Sequence, residues 1–183
     1  VLLWVLHNRS FRTPVKYKLA PYFIPDDRHG PAAQVESVLR EWCRSLGMEL
    51  AVVDDHASAV APYVRTGKPV TLLLGHCLQD CASYVFGNMV EGARLKELPE
   101  CEESTHEGVT FRIGRPLHRI SEEALVRSAA SDRLPVFERT SSVPFGELRG
   151  LLTEFVSDRK GNPALFLKNI AEAPRRIKGE YLV

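Results

Sequence analysis

The sequence predicts an α/β fold: a mixed, mostly parallel sheet of about five strands with flanking helices, followed by a C-terminal helical extension. Three observations lead there. Residues 67–77, Gly-Lys-Pro-Val-Thr-Leu-Leu-Leu-Gly-His-Cys, join a turn, a continuous apolar run and a glycine stop. That pattern reads as a strand buried on both faces in the middle of a sheet. Strand-like runs alternate with helical periodicity at short spacing, as they do where parallel strands are covered by helices. Beyond Leu134-Pro135 two helical stripes follow each other without a strand. We therefore place an α/β domain over residues 1–134, and a helical extension and basic tail over 135–183.

The elements follow in order. Val1 to Leu6 is a short apolar run, read as a strand, and His7 to Pro14 is a basic loop. Val15 to Ile24 returns to strand character, with Pro21 and Pro25 suited to an edge or a strand entrance. Pro31 fits a first helical position. Val35, Val38, Leu39, Trp42, Cys43 and Leu46 then recur at three- and four-residue steps, an amphipathic helix that Gly47 ends. Met48 to Val53 is a strand, 56–66 a short helix limited by Pro62, and 78–86 a helix. A short helix around 93–98 and a solvated acidic loop fill the stretch up to Gly108. Val109 to Ile113 is a strand, and Ser121 caps a helix through Ala130, with Glu122 and Glu123 suiting its dipole. Phe145, Leu148, Leu151, Leu152 and Phe155 form one later stripe, and Asn162-Pro163 opens the next.

The chain has 183 residues, 44% of them hydrophobic and 26% charged, enough to bury a sizeable core. No apolar run has the roughly 18 residues of a membrane span, so no membrane partner is expected. The chain opens without methionine, which we read as a processed or trimmed product. Four cysteines without a disulfide-framework spacing point to a reducing, intracellular compartment, the mitochondrial matrix or cytoplasm. A formal net charge of +1 gives no global pull toward nucleic acid. Both ends are nevertheless basic, and Glu91 to Glu107 is acidic.

His76-Cys77-Leu78-Gln79-Asp80-Cys81 lies where α/β sheets place their sites, at the carboxyl end of a strand. As a nucleophile, Cys77 would stand on a strand-to-helix elbow beside His76, where a helix N-terminus lowers a thiol pKa. This has some likeness to the cysteine elbow of class I glutamine amidotransferases, although their flanking glycines are His76 and Leu78 here. A thiol-dependent hydrolase or amidotransferase-like enzyme is thus the alternative function. His76, Cys77, Cys81, Cys101 and His106 could supply zinc ligands, but a single Cys-x3-Cys pair does not match the common zinc spacings, so no metal and no cofactor is expected. The acid pairs Asp26-Asp27, Asp54-Asp55 and Glu102-Glu103 read as turn chemistry. The remaining signal is basic residues interleaved with rings. Arg9, Phe11, Arg12, Lys16 and Lys18 form one group, and Arg112, Arg115 and Arg119, with His118, form another. Cations of this kind meet phosphates and rings stack on bases.

Leu19-Ala20-Pro21, Leu39-Arg40 to Leu46-Gly47, Val53-Asp54-Asp55, Gly67-Lys68-Pro69 before Leu72-Leu73-Leu74-Gly75, and Gly108-Val109-Thr110-Phe111-Arg112 stand in a telling order. With the closing helix Ser121 to Val126, this block resembles the anticodon-binding domain of class II aminoacyl-tRNA synthetases. The resemblance implies a non-catalytic RNA-binding or assembly module within a synthetase, a polymerase accessory factor or an organellar ribonucleoprotein particle. Its expected partners are structured RNA, tRNA or rRNA, together with proteins docked on the C-terminal helices.

Overall fold

The computed structural model describes residues 1–12, 14, 17–25, 31–64, 66–67, 69–106, 109–137, 150–152, 154–156 and 161–180. The chain divides into two compact units that interleave along the sequence. The first comprises Val1–Leu72, Glu103–Phe111 and Leu125–Thr140, and the second Leu73–Glu102, Arg112–Ala124 and Ser141–Val183.

In the first unit the opening apolar run is a helix, α1 (Leu2–Ser10), which corrects the expected strand. Leucine favours helix, and a short apolar run carries no periodicity that separates the two states. His7 and Arg9 in the last turn complement its dipole. β1 (Tyr22–Phe23) and β2 (Ala51–Val52) are parallel, with Tyr22 opposite Ala51 and Phe23 opposite Val52. Each is only two residues long, because Pro21 and Pro25 flank β1 and offer no ladder donors.

Between these strands runs α2 (Ala32–Ser45), which buries Val35 and Cys43. Gly47 N–H donates to Arg44 O (3.0 Å) and Met48 N–H to Cys43 O (2.9 Å), closing a Schellman turn with Gly47 at φ +71°. Arg40 pairs with Glu36 (2.7 Å) and donates to Leu50 O (3.1 Å), tying α2 to the entrance of β2. α3 (His56–Val64) follows, its first turn capped by Asp55, whose Oδ1 accepts the Ser58 N–H (2.6 Å). This bond holds the Asp55 carboxyl below its usual range.

β3 (Thr71–Leu73), β4 (Cys101–His106) and β5 (Val109–Gly114) form the other sheet, in the order β3-β5-β4. The described residues thus hold sheets of two and three strands, not one of about five. Among the described residues β3 lies at the edge of this sheet, with Thr71 exposed, Leu72 buried and Leu73 half-buried, so the expectation of a central strand covered on both faces is corrected. Residues 93–99 carry no helix, and the acidic stretch from Cys101 is β4. α5 (Glu122–Ser131) begins at Ser121, whose Oγ accepts the Ala124 N–H (3.3 Å).

The second unit is built on α4 (Leu78–Val90) and α6 (Pro163–Glu180), which pack on each other. Asn162 caps α6 through Oδ1, accepting from Ala164 N–H (3.1 Å) and Leu165 N–H (3.3 Å), with Pro163 at the first helical position. Residues 150–152 and 154–156 are also helical. Leu78, Ala82, Leu152, Val156 and Leu167 make a buried cluster, with Phe86, Phe166, Ile170 and Ala171 against it. A fully buried leucine or valine contributes about 1.5–3 kcal/mol, so much of the C-terminal stripe serves this core. The expected Phe145 and Leu148 lie outside the described residues. No helix among the described residues is long and apolar enough to cross a membrane.

Candidate functional site

The second unit gathers its polar groups just beyond β3. Leu74 N–H donates to Gly114 O (2.9 Å), setting the segments that leave β3 and β5 side by side. His76 and Arg115 therefore meet: Arg115 Nε–H donates to His76 Nδ1 (3.3 Å). Arg115 is 5% exposed. Its Nη1 donates to Pro99 O (2.9 Å), its Nη2 to the Glu102 carboxylate, and its backbone N–H to Glu100 O (2.8 Å). His118 continues the network, donating from Nδ1 to Arg115 O (2.8 Å) and accepting at Nε2 from Arg119 Nε (3.1 Å). Glu100 stands 3.7 Å from the same Nε2 but is mostly solvated. A buried guanidinium with this many partners is a fixed part of the framework.

The start of α4 is held as firmly. Cys77 N–H donates to Asp80 Oδ2 (2.9 Å), and Leu78 N–H to Ile120 O (2.9 Å). Gln79, 8% exposed, accepts at Oε1 from Glu122 N–H (2.8 Å) and from Cys77 Sγ (3.6 Å), joining the first turns of α4 and α5. It also lines a cleft of about 100 Å³ with Ser121, Glu123, Asn162 and Leu167.

None of the four cysteines forms a disulfide. Cys43, Cys77 and Cys81 are buried, and Cys101 is exposed at the start of β4. Burial, with Asp80 and Cys77 adding to it, pushes the Cys81 thiol up to about 11. Burial raises the Cys43 thiol as well. Cys77, proposed from sequence as a nucleophile beside His76, is 4% exposed with its thiol turned to Gln79. Reactive thiols are partly exposed and electropositively placed, and this one is enclosed.

The basic residues singled out in the sequence fall in both units. Arg9, Phe11, Arg12 and Lys18 are exposed in the first, Phe11 most of all at 77%. Lys16 lies outside the described residues. In the second unit Arg112 and Arg119 are exposed, whereas Arg115 is the buried network centre. Two members of the site escaped the sequence reading: Glu102, taken for turn chemistry, and Gln79, an unremarked polar residue between two cysteines.

No protein-family model matches the sequence, and no curated protein does. Solved structures do. One of them, a U34-tRNA thiolase NcsA from Methanococcus maripaludis with its [4Fe-4S] cluster, superposes with a TM-score of 0.70 at 17% identity, over 100% of this chain and 68% of that one. The fold of this chain is thus similar to that of the thiolase.

This likeness corrects the anticodon-binding resemblance, because the whole chain, not residues 19–126 alone, follows a different architecture. It also corrects the non-catalytic RNA-binding or assembly module inferred from that resemblance, since the neighbour is an enzyme. Neither a ribonucleoprotein particle, a mitochondrial setting nor a protein partner on the C-terminal helices gains support. The stripe of those helices is largely occupied by α4, through Leu152, Val156 and Leu167.

The neighbour's cluster provides a separate test. A [4Fe-4S] cluster is held by cysteine thiolates, commonly four. Here the four cysteines are dispersed over α2, α4 and β4, three are buried, and the Cys81 thiol is held protonated. No three His, Cys, Asp or Glu residues among those described stand close enough to hold a metal ion. The donor set of this chain does not fit the cluster.

Proposed function

We propose that this chain acts on tRNA as an enzyme of the thiolation type. The observation that supports this most is the likeness to a U34-tRNA thiolase across the entire chain. The chemistry of the surface agrees with the reading. Exposed Arg9, Arg12 and Lys18 in one unit, and Arg112 and Arg119 in the other, suit phosphate contacts, and the ring of Phe11 suits stacking on an unpaired base. Lys16 joins them on sequence grounds. The His76–Arg115–Glu102 network at the carboxyl end of β3 stands where α/β folds place their ligands.

Fluorescence anisotropy of the purified chain with labelled tRNA, repeated at several salt concentrations, tests the binding step. The expected result is a linear fall of log affinity with log salt, steeper for the parent than for Arg112→Ala or Arg119→Ala by about one each. Absence of tRNA binding at low salt overturns the proposal.

A further inference from the structure

Three helices of the second unit begin around one cleft. α4 contributes Gln79, α5 contributes Glu123 and the Ser121 before it, and α6 contributes Leu167 and Pro163 with the capping Asn162. The amide of Gln79 decides what this cleft can hold. It is 8% exposed, and its Oε1 accepts the Glu122 N–H at 2.8 Å. A backbone N–H can only donate, so this contact fixes which end of the amide is oxygen and puts Nε2 at the other. No group among the described residues accepts from Nε2. Nor is it sealed in, because the one enclosed side-chain nitrogen or oxygen without a partner among the described residues is Asn88 Nδ2. Gln79 therefore keeps an unused donor open to the cleft that it lines.

The other polar groups extend this pattern. Ser121 Oγ accepts the Ala124 N–H (3.3 Å) and keeps its own proton to give. Asn162 uses Oδ1 to cap α6, which leaves its Nδ2 as a further donor. Against these donors stands one charged acceptor, the exposed Glu123 carboxylate, which has no ion-pair partner among the described residues.

This mixture narrows the ligand. A phosphate or carboxylate would bring a second negative charge beside Glu123, and no lysine or arginine lines the cleft. A metal ion would meet donors of the wrong polarity. A hydroxyl suits both kinds of group, since it donates one hydrogen bond and accepts two. Carboxylates hold ribose hydroxyls in this way in dinucleotide-binding folds, and Leu167 and Pro163 offer an apolar wall to the C–H face of a sugar. The volume of about 100 Å³ is below the roughly 150 Å³ of a cavity that takes benzene, so the cleft admits the edge of a sugar ring and not a whole nucleotide. We propose that it takes a ribose of an RNA chain, Glu123 accepting from the 2′-hydroxyl and Gln79 Nε2 donating to the same oxygen.

This site rests on the tRNA-acting role proposed above and gives it a means of telling RNA from DNA. Phosphate contacts position a nucleic acid but are the same in both. Glu123 and Gln79 are different, because loss of the 2′-hydroxyl leaves a carboxylate and an amide without their partner. Glu123 lies in the first turn of α5, where the helix dipole offsets part of its charge toward an anionic chain.

Fluorescence anisotropy of the full chain tests this, with a synthetic stem–loop RNA of tRNA sequence and its fully 2′-fluoro counterpart, which keeps the sugar shape and loses the hydroxyl proton. The parent should prefer the RNA by about tenfold, the worth of one hydrogen bond to a charged group. Glu123→Leu should bring the ratio close to one by weakening the RNA alone, with the salt slope unchanged, and Glu123→Gln, which keeps an acceptor oxygen, should retain part of it. Gln79→Glu keeps the acceptor for the Glu122 N–H but has no donor, so it too should lower the ratio. Equal binding of the two ligands by the parent, or a ratio that Glu123→Leu leaves intact, overturns the ribose site and leaves the tRNA-acting role standing. Absence of RNA binding overturns that role instead, and ¹H–¹⁵N NMR with millimolar uridine and 2′-deoxyuridine then decides the cleft. A shift of the Gln79 side-chain amide with uridine alone sustains the site, and no shift overturns it.

Discussion

Gln79 is the residue whose replacement tests the architecture of the site most sharply. Its side-chain oxygen serves the Glu122 N–H at 2.8 Å and the Cys77 thiol at 3.6 Å. Methionine at this position matches the length of glutamine but offers no comparable acceptor. A donor left without a partner costs about 1–3 kcal/mol, and a thiol bond adds little. The adjoining cleft of about 100 Å³ gives water a route to the stranded N–H, which moves the expectation to the lower part of that range, about 1.5 kcal/mol. With a urea dependence of about 2 kcal/mol per molar, the denaturation midpoint of Gln79→Met should fall by roughly 0.7 M. Gln79→Glu keeps the acceptor and places a negative charge at the first turns of two helices, where the dipole favours it. Its midpoint should stay close to that of the parent. An unchanged midpoint in Gln79→Met, or equal losses in both variants, would refute the reasoning, since the oxygen would then not be what joins α4 to α5.

Three further outcomes are expected. Gly47→Ala forces a β-carbon into the left-handed region and should destabilise by about 1 kcal/mol, with nothing within 4 Å of that carbon to add a steric cost. Arg133 occupies the equivalent turn after α5 at φ +53°, so Arg133→Gly should raise the denaturation midpoint where Gly47→Ala lowers it. In thiol labelling of the native chain Cys101 should react first, with Cys43, Cys77 and Cys81 protected; rapid labelling of Cys81 at neutral pH would contradict its burial. Asp55 accepts the Ser58 N–H and is held below its ordinary value of 3.8. A carboxyl depressed in the folded state contributes stability above its unfolded value and loses it as pH falls through the folded one. The Ser58 amide should therefore gain exchange protection from Asp55 at neutral pH, lose it only under strongly acidic conditions, and lose the pH dependence in Asp55→Asn.

What the sequence revealed tracked how local its signals were. α2 was legible because Pro31, the three- and four-residue apolar spacing and Gly47 all act within the helix itself. α5 was legible too, since Ser121 and an acidic first turn mark its start. α1 was misread because six apolar residues fit strand and helix equally well. β4 was missed for the opposite reason: Cys-Glu-Glu-Ser-Thr-His has no hydrophobic alternation, and the strand exists through its pairing with β5.

The site was half visible. His76 and Cys77 announce themselves after a strand, but an arginine is ordinarily read as exposed, and nothing within Gly114-Arg115-Pro116 reports that Pro99, Glu102 and His76 converge on it. That information is tertiary. The resemblance to an anticodon-binding domain failed similarly, because an α/β order of helix, strand and Gly-x-Pro turn is shared by many folds.

The measurement that addresses the central claim most directly is quantitative nucleoside mass spectrometry of tRNA, from cells in which this gene is deleted and from the same cells carrying it back. The account predicts that thiolated tRNA nucleosides fall on deletion and return on restoration. Thiolated nucleosides unchanged by deletion would contradict it.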